Sequence, residues 1–569
     1  MKPTSRQRAL GPWCWPREGS ARRALGDSHG DQPPARPGDA VGLATVGQRG
    51  ESVVVLFRAG EPTETGSLAL GRRAVEAWRW AGAALPRVVP FRWRGLHEGE
   101  LDVPAVHRLA HHVEQGAATR ISAVDGRSFG FSFLLSLASL LFEQPPEDDV
   151  ACAGQLQADG TLAPCDGLAL KVAALAGAPG LRRVLVAAPR SENDETELKT
   201  AAFQAPSGVE LVPVCAAREL IELGLGLELN ERLRKEAATP DGRRELVSLL
   251  QAQALGESSV VVGWGSLEDT ARVVRETCAD STEEREWAWR LGFVESVAAR
   301  HGGRHAPLPD LAVLSRWMEE APALRWRLLA QVVQHAADNG EPSRSEVQEL
   351  IERLDLPEVG RSNAEQLTVH GSLVRLESIG PEPSSALTRA RQVLDTRLAF
   401  SLAPGSSRVL CSAFRLAGAL TEGSVFAQLE QVARRLADQG AFLAADHGFL
   451  RLSRLVGASW LEPVSPATLA GLRAVAADAT LPSHLRWSAW RTVVRCSPTS
   501  KETLEQPGPP ETVEGRIFRA LAELDAALRG GDEGREALTR LAEVQPGILR
   551  QLSSDEGPDG ERVSRHFPY

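Results

Sequence analysis

The residues best suited to chemistry are a serine and a lysine, each in a glycine-containing segment. Residues 125–130 read Asp-Gly-Arg-Ser-Phe-Gly, and residues 166–171 read Asp-Gly-Leu-Ala-Leu-Lys. A serine hydroxyl is a weak nucleophile until a base takes its proton, and a lysine in apolar surroundings can be that base. The pair therefore predicts acyl-transfer chemistry, with Ser128 as nucleophile and Lys171 as general base.

Ser128 comes directly before an apolar segment, Phe129 to Phe142, that is too short to span a bilayer. Its composition predicts a buried core helix whose serines lie on a packed face. The first N–H groups of a helix have no intrahelical partner and lie at its positive end. We therefore expect backbone amides near Ser128 to stabilise an oxyanion.

Both segments resemble motifs of the proteolytic domain of Lon proteases. The family's nucleophile loop reads Asp-Gly-Pro-Ser-Ala-Gly, and its catalytic lysine ends Gly-Gly-Leu-Lys-Glu-Lys. Residues 153–164 resemble the glycine-bounded hairpin between these motifs, and the interval of 43 residues from Ser128 to Lys171 agrees with the family. The resemblance covers residues 41–228. It implies an α+β serine endopeptidase with a Ser–Lys dyad, in which Asp125 matches a family aspartate that could orient the lysine.

The chain departs from the family at several positions. Arg127 and Phe129 replace a proline and an alanine, Asp166 replaces a glycine, and Ala153 and Gln155 replace a threonine and a glutamate. The pattern G-x-x-x-x-G-K-[ST] of a phosphate-binding loop does not occur in the sequence. We therefore expect cleavage without ATP and without a cofactor, directed at accessible unfolded segments or at a specific protein partner.

Strand and helix patterns alternate along residues 41–228, which predicts a compact α+β domain. A hairpin is expected at Val41–Val46 and Ser52–Phe57, and helices are expected around Arg72–Ala84 and near Val103–Gly116. Further strands are expected at 182–187 and 209–212, with a last helix at 217–223 that Gly224 stops. Residues 1–40 are rich in Arg, Pro, Gly and Ser and are predicted to be a disordered leader.

Beyond a charged segment at 229–243, predicted to be a linker, strand patterns nearly vanish. Helix-sized amphipathic segments return about every 40 residues through 244–500, a period typical of helical-hairpin repeats. We expect an all-α solenoid of the TPR or HEAT type there. Residues 501–515, with Pro-Gly-Pro-Pro, are predicted to be a second linker, and 516–569 a C-terminal helical cap and tail.

The bulk composition limits the classes of function. A formal charge of −10 over 569 residues leaves no basic surplus for phosphates, so general nucleic-acid binding is disfavoured. The seven cysteines are scattered and never spaced C-x-x-C, which favours a reducing cytoplasm. A peptidase joined to repeats is also compatible with a bacterial signalling or defence effector. No signal-peptide or membrane-spanning pattern is found. A protein substrate and a regulatory protein or ligand bound by the repeats are the expected partners, and oligomerisation stays open.

Three alternatives accompany this interpretation. The Lon-like part could be a catalytically inactive interaction scaffold. The repeats could bind nucleic acid through arginine faces such as the one carrying Arg434 and Arg435. His107, His111 and His112 include an i, i+4 pair that could hold a metal on a helix, although no H-E-x-x-H pattern completes it, which favours surface or structural histidines.

Overall fold

The computed structural model divides the chain into two compact units, Met1–Leu291 and Gly292–Tyr569. The predicted leader lies outside the described residues except for its last five, and Asp39 and Ala40 begin the first strand. The residues that the structure describes are 36–46, 51–59, 68–91, 104–113, 123–157, 160–178, 180–255, 263–301, 306–380, 382–399, 406–438, 444–461, 464–478, 483–496, 513–531, 533–544, 549, 552–554, 557–558, 560 and 563–564.

The first unit is an α/β region. Its strands are β1 (Asp39–Val46), β2 (Glu51–Arg58), β3 (Ala69–Leu70), β4 (Ala105–Val113), β5 (Ala123–Val124), β6 (Val150–Ala153), β7 (Gln155–Leu156), β8 (Leu162–Ala163), β9 (Arg183–Ala187) and β10 (Glu210–Val214). Its helices are α1 (Arg72–Val88), α2 (Gly130–Phe142), α3 (Leu168–Ala173), α4 (Glu192–Gln204), α5 (Ala217–Leu225), α6 (Leu229–Ala237), α7 (Pro240–Ala254) and α8 (Trp264–Arg275). Helix α9 (Thr282–His301) carries the boundary between the two units.

Six strands form one mixed sheet in the order β10-β9-β6-β1-β2-β4. The predicted hairpin is confirmed, because β1 and β2 pair antiparallel over their whole length. Strand β4 continues the antiparallel part, whereas β6, β9 and β10 are parallel to β1 and to one another. The predicted strands at 182–187 and 209–212 are confirmed as β9 and β10, each shifted by one or two residues.

Helices α2 and α3 cover opposite faces of this sheet. Val41 and Leu43 of β1 belong to a buried cluster with Val172, which α3 contributes. Gly42 points to the other face, where a Cβ atom would lie 2.7 Å from Ser132 Oγ of α2. Successive residues of a strand face opposite sides, so β1 separates the two helices that bear the predicted dyad.

Helix α2 confirms the expectation of a buried core helix with packed serines. Every residue from Gly130 to Phe142 is buried. The Ser132 hydroxyl donates to Val41 O at 3.3 Å, and Ser139 Oγ accepts from Gly38 N at 3.0 Å. Buried hydroxyl groups need such partners, and here they fasten the helix to the start of β1.

The helix predicted near Val103–Gly116 is wrong, because residues Ala105–Val113 form β4 at the edge of the sheet. A register shift opposite Val54 and Val55 pairs them with Ala110 and Arg108, which leaves Leu109 as an extra residue. A bulge interrupts the alternation of inward and outward side chains. The spacing of apolar residues therefore resembled that of a helix. The segment instead forms a strand because it pairs with the edge of β2.

The end of α5 also differs from the prediction. Gly224 does not stop the helix, which runs to Leu225 and ends at Gly226 with a left-handed φ of 59°. At Gly224 a Cβ atom would lie 2.5 Å from the Leu135 side chain of α2. Gly224 is therefore needed for the close approach of two helices, and Gly226 provides the backbone conformation of a helix C-terminus.

The predicted linker at 229–243 is wrong, since it forms α6 and the first turn of α7. Pro240 occupies the first turn of α7, where its missing N–H is tolerated, and Thr239 Oγ1 caps the helix by accepting from Gly242 N at 3.1 Å. Gln253 of α7 donates to Pro90 O at 2.7 Å, so α7 packs on the α/β region.

The second unit is mostly helical. Its helices are α10 (Leu311–Glu320), α11 (Arg325–Asn339), α12 (Arg344–Arg353), α13 (Ala364–Ser378), α14 (Pro383–Ala399), α15 (Ser406–Ala419), α16 (Gly423–Asp438), α17 (Ala444–Ala458), α18 (Pro466–Ala477), α19 (Ser483–Cys496), α20 (Val513–Arg529) and α21 (Arg535–Val544). Helix α20 begins inside the predicted linker 501–515, whose preceding residues lie outside the described ranges.

A repeat of about 40 residues is visible in the helix positions and contacts. Alternate helices begin at 325, 364, 406, 444 and 483, that is, every 38 to 42 residues. Side chains 38 residues apart meet repeatedly, as Gln334 does with Ser372 at 2.9 Å and Arg415 with Ser453 at 3.2 Å. The region is compatible with a helical solenoid. None of the helices in the described ranges is long and apolar enough to cross a bilayer.

Candidate active site

Ser128 lies in the single 3-10 turn Arg127–Phe129 that leads into α2, and its side chain is half-buried. Its carbonyl accepts from Gly154 N at 3.2 Å, and Phe131 N donates to Gly154 O at 3.4 Å. Gly154 directly follows β6. The nucleophile loop is thus fastened on both sides of Ser128 to the end of a central strand.

Two glycines permit this close approach. A Cβ atom on Gly130 would lie 2.4 Å from Leu156 N, and one on Gly154 would lie 2.6 Å from the Phe131 ring. Side chains at these positions would separate the Ser128 loop from the segment after β6. These glycines are therefore required because the loop and the segment after β6 pack too closely to admit a Cβ atom.

Lys171 lies in α3 and is almost fully buried, with 3% of the residue exposed. Its ammonium donates to Asp166 O at 2.5 Å, so the side chain folds back over the loop that begins the helix. Gly167 gives that loop a left-handed φ of 67°, and Glu197 accepts a hydrogen bond from Leu168 N at 2.7 Å. The lysine therefore occupies an ordered site in the apolar core.

Cys165 is the neighbour of Lys171 that the sequence analysis missed. Burial raises the pKa of the Cys165 thiol, while the charge of Lys171 and a hydrogen bond with it act in the opposite direction. The cysteine comes six residues before the lysine. The spacing of the cysteines was informative only about disulfides and metal sites. It therefore did not indicate that the Cys165 thiol lies beside Lys171.

The surroundings of Ser128 and those of Lys171 are connected through the end of β6. The Ala153 side chain belongs to the apolar cluster that holds Cys165, whereas the next residue, Gly154, binds the Ser128 loop through its backbone. Within the described part of the chain, neither the Ser128 hydroxyl nor the Lys171 ammonium donates a hydrogen bond to the other. The end of β6 thus connects the surroundings of the two candidate residues, and the described residues show no hydrogen bond between the two side chains.

No family model and no curated protein matches this chain. The functional interpretation therefore depends on the residues of the site itself.

A small pocket adjoins the Lys171 side of the site. Its walls are mainly apolar, and two carboxylates, Asp194 and Glu197 of α4, lie at its edge. Glu197 is engaged with the N-terminus of α3, and Asp194 accepts from Arg190 N at 3.0 Å. The pocket is lined by Ala153, Pro164, Cys165, Leu168, Val186, Ala187, Pro189 and Leu198 besides these two.

Asp125 is hydrogen-bonded to the start of α1, while Lys171 donates to Asp166 O, so the role that the resemblance implied for Asp125 stays a prediction. Its Oδ1 atom accepts from Arg73 N at 2.7 Å and from Ala74 N at 3.2 Å. The carboxylate thus caps α1 at its positive end. A Cβ atom on Gly71 would lie 2.4 Å from the Asp125 side chain, so glycine leaves the room that the carboxylate occupies.

Replacing Asp125 with alanine should lower the free energy of unfolding by about 1–2 kcal/mol, the usual effect of losing a helix cap. Asp125→Asn keeps an acceptor and should recover part of that loss. Urea unfolding of the full chain followed by circular dichroism would measure both. If Asp125→Ala unfolds at the wild-type urea concentration, the cap contributes nothing to stability.

Arg127, which stands where the family has proline, connects the nucleophile loop to α1. Its guanidinium forms a salt bridge with Glu76 at 2.9 Å and lies 4.8 Å from the centre of the Trp80 ring. Both contacts are partly exposed, so their effect on stability is small. They direct the arginine away from the buried interior.

His107 and His111 do not have the helical i, i+4 spacing that the sequence suggested, because their segment is a strand. His107 and His111 lie on β4, and the side chains of His111 and His112 are outside the described residues. Among the residues that the structure describes, no group of three or more His, Cys, Asp or Glu side chains could hold a metal ion. The expectation that the protein needs no cofactor stays a prediction.

Proposed function

We propose that the first unit is a Lon-like serine endopeptidase that works without ATP, with Ser128 as nucleophile and Lys171 as general base. The observation that carries the proposal is a buried lysine, 3% exposed, whose neighbour Cys165 shares an apolar cluster with Ala153, the residue before the glycine that binds the Ser128 loop. A lysine amine held in an apolar core can serve as the base that a serine nucleophile requires.

The reaction follows acyl-transfer chemistry. The Ser128 hydroxyl attacks a peptide carbonyl carbon while Lys171 accepts its proton. The lysine then delivers that proton to the leaving amine, and water hydrolyses the acyl-enzyme with Lys171 again as base. Backbone N–H groups at the start of α2 would stabilise the oxyanion. For this step Lys171 has to leave Asp166 O and turn toward Ser128.

The mostly helical unit would select the substrate or receive a signal, as TPR-like or HEAT-like repeats do with protein partners. The recurrence of helices every 38 to 42 residues supports this assignment. A reducing bacterial cytoplasm suits six cysteines that form no disulfide in the described chain. Accessible unfolded segments, or one specific protein, are the proposed substrates.

Mass spectrometry of new N-termini, after incubation with an unfolded protein mixture and no ATP, tests the proposal. Wild type should generate new termini, and Ser128→Ala should generate none. Ser207→Ala alters an exposed serine in a turn and serves as the matched control. Thermal unfolding of each variant checks that the fold is retained. Equal cleavage by wild type and Ser128→Ala would contradict the proposal.

The second candidate function is a catalytically inactive interaction scaffold. It is favoured by one observation, that Lys171 donates to Asp166 O and not to the Ser128 hydroxyl. The same experiment separates the two functions. If a wild-type protein of verified fold produces no new termini with any substrate or binding partner, the scaffold is the better description.

A further inference from the structure

Six arginines of the second unit form what we call the arginine cluster. All of them lie on odd-numbered helices, the first members of successive helix pairs. Arg300 comes from α9, Arg375 from α13, and the other four from α15 and α19. The four are Arg408, Arg415, Arg491 and Arg495.

Two aspartates hold half of the cluster in place. Asp338 of α11 forms salt bridges with Arg300 at 3.0 Å and with Arg375 at 2.7 Å. Asp525 of α20 forms one with Arg491 at 2.8 Å, and these two side chains are 1% and 7% exposed, respectively. Asp338 therefore binds two guanidinium groups, and Asp525 binds Arg491 and also acts on the charge of Arg495.

Arg415 and Arg495 have neutral hydrogen-bond partners. Arg415 donates from Nε to Ser453 Oγ at 3.2 Å, and Arg495 donates to Ser459 Oγ at 2.5 Å. The Arg495 guanidinium also lies 3.6 Å from the centre of the Trp460 ring. Across the described ranges, no carboxylate forms a salt bridge with Arg408, Arg415 or Arg495. Asp525 offsets part of the Arg495 charge from a distance, whereas Arg415 is held by a neutral hydroxyl and Arg408 is exposed.

The charges of the cluster converge on one region. The pKa of Arg415 is lowered to about 10, chiefly by burial; Cys411 opposes this shift, and the charges of Arg491 and Arg375 contribute to it. The pKa of His301 is likewise lowered, first by burial and then by the positive charges of Arg300, Arg408 and Arg375. Charged groups from one to three helix pairs apart therefore lie within electrostatic reach of one another.

This arrangement is unfavourable without a counter-ion. Six guanidinium groups face two carboxylates among the described residues, and several of them are partly desolvated. Like charges in a poorly solvated region repel one another, and groups perturbed in this way concentrate at functional sites. An anion with several negative charges would relieve the repulsion and use the N–H groups that the serines leave free.

We propose that the arginine cluster binds a diphosphate group, supplied either by inorganic pyrophosphate or by a nucleotide. Guanidinium groups bind phosphate oxygens with paired N–H donors, and several groups pointing at one region suit a compact, multiply charged anion. A glutamate-rich peptide would instead spread its charges along an extended chain, at about 3.3 Å per residue. This site is independent of the proposed peptidase.

Thermal unfolding and calorimetry of the full chain with sodium pyrophosphate, at constant ionic strength, test the site. Pyrophosphate should raise the melting temperature, and Arg415→Met should weaken binding at least tenfold. Because burial disfavours the charged Arg415 side chain, this variant should fold at least as stably as wild type. Arg434→Met alters an exposed arginine on α16 and should bind like wild type.

Further arms identify the source of the diphosphate. Tighter binding of ATP than of pyrophosphate, with none of adenosine, assigns the site to a nucleotide, whereas equal binding assigns it to the diphosphate alone. Equal effects of sodium sulfate, or equal binding by Arg415→Met, would overturn the proposal. So would binding of a glutamate-rich peptide without binding of pyrophosphate.

Discussion

Replacing Lys171 with methionine should reduce peptide cleavage by about 10³-fold or more, within the range that general acid–base catalysis contributes. Methionine fills a similar volume and buries no charge, so the variant should be as stable as wild type. Lys171→Arg should be equally inactive, because a guanidinium stays protonated and cannot accept the Ser128 proton. The rate constant on an unfolded, fluorescently labelled protein substrate measures both effects.

Lys199→Met is the matched control for this experiment. Lys199 lies on α4, its side chain is 80% exposed, and it forms an i, i+4 pair with Glu195 at 3.6 Å. Its replacement should leave cleavage unchanged. If Lys171→Met retains more than about a tenth of the wild-type rate, Lys171 is not the base, since general-base catalysis contributes at least about 10²-fold. That result would exclude a Ser128–Lys171 dyad mechanism even if Ser128 proved essential for cleavage.

Local patterns were sufficient to predict many elements of the first unit. The hairpin of β1 and β2 follows from two β-prone runs with a polar turn between them, and α2 follows from its continuous apolar composition. The glycines on both sides of Ser128 were visible in the sequence as well. In each case, the information that decides the structure lies within a dozen neighbouring residues.

Contacts between distant segments explain what the sequence did not show. Asp125 caps a helix that begins 53 residues earlier, at Arg72, so its partners were not evident from its own motif. Strand β4 pairs with β2 through a bulge, which no periodicity rule anticipates. Cys165 becomes a neighbour of Lys171 only because the loop before α3 folds back. Tertiary packing outweighs local preference at each of these points.

Replacing Asp338 with alanine should lower the free energy of unfolding of the second unit by about 3–5 kcal/mol, the effect of removing one partner of a buried ion pair. The Arg300 side chain is 3% exposed and the Asp338 side chain 5%, so water cannot replace the lost carboxylate. Arg375 loses its partner at the same time. Urea unfolding followed by tryptophan fluorescence would measure the change.

Asp395→Ala, at an exposed aspartate of α14, is the control and should shift unfolding by no more than about 0.5 kcal/mol. The proposed anion site adds a second test of Asp338. Asp338 offsets part of the positive charge of the arginine cluster, and a bound anion would offset the same charge. Pyrophosphate should therefore stabilise Asp338→Ala more than it stabilises wild type. If Asp338→Ala unfolds like Asp395→Ala in the absence of ligand, the arginines do not depend on this carboxylate, and their repulsion is weaker than the geometry implies.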